Sequence, residues 1–170
     1  MNVYLAALRQ QTRMLENLDR WIDIAVEYAK TKSFDPSVLL QARLAPDQYP
    51  FVRQVQAACD SAKFMAARLA AKDPPKHPDT EQTIDEVHAR IRNVVAYLKT
   101  FGEEDFTAAE TRVVPLQFMP GKGIRGADYL FEMQTPNFFF HVTTAYAILR
   151  HNGVGLGKAN YIGSLTLHDL

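Results

Sequence analysis

Cysteine is almost missing from this chain: Cys59 is the single one in 170 residues. One thiol excludes an internal disulfide and any zinc site built from several cysteines. It fits a reducing compartment, so a cytoplasmic location is expected. Neither sign of charge is in excess, with 19 Lys plus Arg against 19 Asp plus Glu. A nucleic-acid binder needs surplus basic charge on one face, so that class is set aside. Without net charge there is little self-repulsion, and surfaces associate readily. Long apolar runs are missing too: none approaches the roughly 20 residues that span a bilayer. No membrane partner is expected. The opening segment, MNVYLAALRQQTRMLENLD, carries charge where the apolar centre of a signal peptide would run.

What is present is ordinary for a globular chain: 47% hydrophobic and 22% charged residues. The length suffices to bury a core, and the expectation is one domain over residues 1–170.

The pattern is helical with one interruption. Leu5, Leu8, Leu15, Leu18, Ile22, Ala25 and Ala29 recur at three-four spacing, which predicts a first helix over Val3 to Lys30. At 1.5 Å per residue it is about 42 Å long, a length typical of bundles. Asp35-Pro36 supplies a cap and a first-turn proline for a short helix to Gln41. RLAPDQYPF, Arg43 to Phe51, carries two prolines and breaks the chain. A second helix is expected from Pro50 to Ala71, with Phe51, Val55, Ala58, Ala62, Met65 and Leu69 as its stripe. The proline-rich DPPKHPD leads to a third, from Thr80 to Phe101, capped by Asp79 or Thr80. Thr111 to Met119 and Asp128 to Gln134 read as two strands around Pro120-Gly121-Lys122-Gly123, a β-hairpin before the last helix. GKGIRG matches neither phosphate-loop spacing and is read as a turn. The last helix is expected over Asn137 to Asn152, stopped by Gly153, with an extended tail beyond. The prediction is an all-α four-helix bundle with a small β-hairpin insertion.

The last helix holds the most informative residues. Asn137 and His141 are four apart and share a face. His141 sits among Phe138, Phe139, Phe140 and Val142, so it is either a satisfied core residue or the floor of a site. Three consecutive phenylalanines cover three directions. One ring must leave the core, and a partner subunit in a homodimer would cover it.

LLQARLAPDQYPFVRQVQAACDSAKFMAARLA, DTEQTIDE and PNFFFHVTTAYAILRHNGVGLGK carry a resemblance over nearly the whole chain. The sequence resembles an uncharacterised domain-of-unknown-function family similar to the DinB/YfiT-like four-helix-bundle superfamily. Members of that superfamily often hold a divalent metal through three histidines, one on the second helix and two on the fourth at i and i+4. Relatives include thiol-dependent transferases and hydrolases. The resemblance implies a site location between the second and fourth helices. This chain departs from that pattern. Its fourth-helix positions are Asn137 and His141, and its second helix has no histidine. The second-helix candidates are Gln56 and Asp60, with Cys59 beside them.

Three readings stay open. His141 and Asp60, from facing helices, form a structural hydrogen-bond network. Or they line a metal-free pocket for a small ligand, Asp60 orienting His141 as a general base. Or His141 and Asp60, with Asn137 or Gln56, hold zinc, nickel, iron or manganese, and the protein is a metal-dependent enzyme. His77 and His168 are expected in solvent, and His88 at the margin of the third helix.

Overall fold

The computed structural model describes residues 2–169. Four long helices dominate: α1 (Val3–Lys32), α2 (Phe51–Ala70), α3 (Ile84–Leu98) and α5 (Thr135–His151). Each packs on its neighbours so that α1–α3–α2–α5 closes into a ring, with α2 against α5 the broadest face. The interior is apolar, built on Leu15, Leu18, Trp21, Phe51, Met65, Ile91 and Phe138, all nearly inaccessible to solvent. This is a four-helix bundle with a small hairpin, as the periodicity led one to expect.

The ends of the elements follow from local chemistry. Asn2 Oδ1 accepts from Tyr4 N and Leu5 N, both at 3.1 Å, and starts α1. Ser33, in the left-handed conformation, stops it. Asp35 caps the 3₁₀ turn Pro36–Gln41 by accepting from Ser37 N at 2.9 Å.

Three expectations change. The third helix starts at Ile84, four residues later than Thr80. Thr83 Oγ1 accepts from Glu86 N at 3.2 Å, and Glu86 accepts in turn from Thr83 N at 3.0 Å, a reciprocal capping box. Residues 72–83 run as an irregular strap, because Asp79 and Glu81 are drawn to side chains of α2 and α3 rather than into a helical turn.

The hairpin pairs β1 (Val113–Pro115) with β2 (Gly123–Arg125), in register Val114↔Ile124. The second strand therefore lies before residues 128–134. Those residues are helical, running from α4 (Gly126–Asp128) through a π-helical segment (Tyr129–Gln134) into α5. Tyr129, Leu130 and Gln134 are buried at helical spacing, which outweighs their strand propensity. The five-residue repeat of a π turn aligns Tyr129 with Gln134. Gln134 Nε2 donates to Tyr129 Oη at 2.7 Å, and α2 closes the pair through Ser61 (2.9 Å to Gln134) and Arg68 (3.1 Å to Tyr129). At Gly126 a Cβ would stand 1.8 Å from Ala109 O, so only glycine admits this approach.

The tail is not simply extended. It forms α6 (Lys158–Ile162). Tyr161 stacks on Trp21 at 5.5 Å, Trp21 Nε1 donates to Asn160 O at 2.9 Å, and Asn17 Nδ2 donates to Tyr161 O at 2.9 Å.

Candidate functional site

His141 on α5 meets α2 at Gln54, not at Asp60. Its Nδ1 lies 2.8 Å from Gln54 Oε1. Gln54 is buried, and its Nε2 donates to Tyr49 O at 3.2 Å. The amide is thus fixed at both ends, and its oxygen can only accept. Nδ1 carries the proton, and Nε2 keeps the lone pair. Burial, and then the positive charge of Arg53, hold the His141 pKa below the ordinary histidine value. The ring is neutral at pH 7. Arg53 lies over the Tyr49 ring at 5.5 Å. One turn before His141, Asn137 is exposed.

Asp60 belongs to a different cluster. Its Oδ1 accepts from Lys63 Nζ at 2.7 Å and from Arg90 Nη2 at 2.8 Å. Lys63 and Arg90 are buried and need a counter-charge. They claim the carboxylate, so the expected Asp60–His141 pair does not form. Arg90 also donates to Glu81 at 3.0 Å, to Asp79 at 3.2 Å and to Pro78 O at 3.3 Å, which fastens the strap to α3. Gln56 joins this cluster by donating to Glu81 at 2.7 Å, and Arg53 bonds both Gln56, at 3.0 Å, and Asp79. His77, expected in solvent, is half-buried with Nδ1 3.3 Å from Lys63 Nζ. Cys59 is fully buried, and desolvation pushes its thiol up to about 12. It is a core residue rather than a nucleophile.

Of the five candidates, then, His141 stands with Gln54, Gln56 and Asp60 stand together at the strap, Cys59 is sealed, and Asn137 is at the surface. Two sequence signals were there to be read. Gln54 lies three residues after Phe51 and four before Ala58, inside the apolar stripe of α2. Arg90 lies three residues after Val87 and four before Val94, inside that of α3. A polar residue on a buried stripe must find a partner.

The donor set around His141 does not fit a three-histidine metal centre. It offers one imidazole, one amide already committed at both ends and one exposed amide. Neutral amides are poor substitutes for imidazole toward zinc or nickel. Among the described residues no three His, Cys, Asp or Glu side chains are gathered to hold a metal ion.

Comparison with known proteins agrees with this architecture. The family model described as "Domain of unknown function (DUF1993)" matches residues 3–162. A solved structure of a DinB family member protein from Shewanella denitrificans is similar at 42% sequence identity and a TM-score of 0.95, over 99% of this chain and 96% of that one. No curated protein matches.

Proposed function

This chain belongs to the domain-of-unknown-function family DUF1993, and on that footing we propose that it is a small-ligand-binding DinB-like bundle without a three-histidine metal site. The observation that carries this reading is the hydrogen bond between Gln54 Oε1 and His141 Nδ1. It fixes one tautomer of a neutral, half-buried imidazole and leaves Nε2 as a basic acceptor. Such a group binds a ligand bearing an O–H or S–H, and the positive charge of Arg53 favours any negative charge that develops on it. Asn137, one turn away on the exposed side, supplies a further amide.

A divalent-metal-dependent transferase or hydrolase is the second reading. One feature favours it: an imidazole whose Nδ1–H is held by a neighbour is also how metal-ligating histidines are oriented. The two amides beside it weigh against it. We further propose a cytoplasmic homodimer. No described helix is long and apolar enough to cross a membrane, and the exposed rings of Phe131 and Phe140 offer an apolar surface to a second copy.

Metal content and metal-dependent melting of untagged protein, wild type against His141→Ala, separate the two readings. The ligand-binding reading expects no metal that depends on His141, and a panel of thiols, alcohols and carboxylic acids to raise the melting temperature of wild type more than of His141→Ala. Near-stoichiometric metal lost in His141→Ala would replace it with the metalloenzyme reading.

A further inference from the structure

The segment after α5 hangs on α1 by a row of side-chain donors. Trp21 Nε1 donates to Asn160 O at 2.9 Å, Asn17 Nδ2 to Tyr161 O at 2.9 Å and to Ile162 O at 3.3 Å, and Arg13 Nη1 to Ser164 O at 3.4 Å. The donors recur every four residues, on one face of α1. The segment therefore runs back along α1 toward the start of that helix. Arg9 is the next residue of the row. It is exposed and donates to no described residue.

Beyond Ser164 the segment stands in solvent: Leu165 is 59% and Leu167 81% exposed. In an extended backbone alternate side chains share a side, so Leu165, Leu167 and Asp169 form one face. Beside the first three turns of α1 lies a cleft of about 750 Å³. Ala6, Ala7 and Phe131 give it apolar walls, and Arg9 and Arg13 outnumber its one carboxylate, Glu103. Two leucines followed by an acid suit such a cleft in both polarity and charge.

The spacings agree as well. An extended chain advances about 3.3 Å per residue, and a helix about 1.5 Å. Counted from Ser164 on Arg13, Thr166 falls level with Arg9, Leu167 with Ala6, and Asp169 with the first turn of α1. That turn holds no acidic side chain, and the positive end of a helix favours a carboxylate.

We propose that residues 165–169 are a latch that closes into this cleft. Arg9 donates to Thr166 O as the next donor of the row, Leu165 and Leu167 cover Ala6, Ala7 and Phe131, and Asp169 sits at the start of α1. The occupant is the chain's own segment, because the residues before it are already seated on the same row. Closure takes both leucines out of water. Phe140 lies outside the cleft and stays open to a second copy. Neither Gln54 nor His141 takes part, so the latch is independent of the ligand site.

Disulfide trapping in the full chain under mild oxidation, read by mass, tests it. Cys59 is sealed in the core and stays silent. Ala6 and Arg20 stand equally far from Arg13 along α1, in opposite directions. Leu167→Cys with Ala6→Cys should close an intramolecular disulfide at least about tenfold faster than Leu167→Cys with Arg20→Cys, because docking raises the effective concentration at Ala6 alone. Adding Arg9→Glu should slow closure at Ala6. Leu165→Cys with Gln10→Cys, both exposed, gives the same reading where Ala6→Cys does not fold. Equal rates toward Ala6 and Arg20 overturn the proposal, since an unseated segment samples both. Closure that ignores Arg9→Glu overturns it, as does a disulfide between chains, which would make the occupant the segment of a second copy.

Discussion

His141 and His88 have each committed Nδ1 to a neighbour, a buried amide in one case and a carboxylate in the other. For His141 the partner is neutral, and burial with Arg53 lowers the pKa in the folded state. The unfolded chain then takes up the proton first as the pH falls. The folded state is fully favoured above the ordinary value of about 6.5 and loses stability as the pH drops from there toward the lower folded value. His77, lowered by burial and by Lys63, adds in the same direction. Urea denaturation at pH 7.5 and pH 5.5 should show wild type losing stability on acidification and His141→Gln losing less. Equal losses would mean that burial and Arg53 do not lower the His141 pKa in the folded state. At this scale the sequence was half legible. An imidazole set among phenylalanines announces itself. Its partner is marked only by helical phase, since Gln54 lies inside the apolar stripe of α2 and Gln56 stands two residues away, and a shift of two residues reassigns the facing side chain.

The strap over residues 72–83 shows how an element without regular structure is held. Its prolines remove backbone donors, so side chains hold it, with Arg90 at the centre. Replacing Arg90 by Met leaves Asp60, Asp79 and Glu81 without their shared partner. Loss of one side of a buried ion pair costs about 3–5 kcal/mol. Asp60 and Asp79 reach water, with side chains 27% and 32% exposed, so the lower end of that range applies. The urea midpoint should fall accordingly with an unchanged slope; a loss below about 1 kcal/mol would show that Arg53 and Gln56 hold the strap without Arg90. The four long helices were legible because three-four spacing survives over many turns. The second strand was not: DYLFEMQ suits either state by composition, and only burial of Tyr129 and Gln134 against α2 selects the helix. The late start of α3 was hidden for a similar reason, since Asp79 and Thr80 are as good caps on paper as Thr83, and the choice is made by Arg90 and Arg53 from other elements.

For the whole molecule, the exposed aromatic surface sets the expectation. Phe131 is 57% and Phe140 56% exposed, whereas Phe138 is fully enclosed. Sedimentation at micromolar concentration should give twice the 19.2 kDa chain mass, and Phe140→Glu should return it to one chain; a monomeric wild type would remove the case for a dimer. The assembly state was only weakly legible, because three adjacent phenylalanines prove that one ring turns outward and say nothing of what it meets. The charges around the strap have a longer consequence. Arg53, Lys63 and Arg90 are balanced by Asp60, Asp79 and Glu81, three against three, across two helices and a connector. Loss of Arg90 strands Glu81, loss of Asp60 strands Lys63 and loss of Asp79 strands Arg53, while a change of the whole set to apolar residues strands none. These six positions therefore form a unit of inheritance. Across related chains they should be retained together or exchanged together, and a lineage that lost Arg90 alone would have had to rebuild its strap.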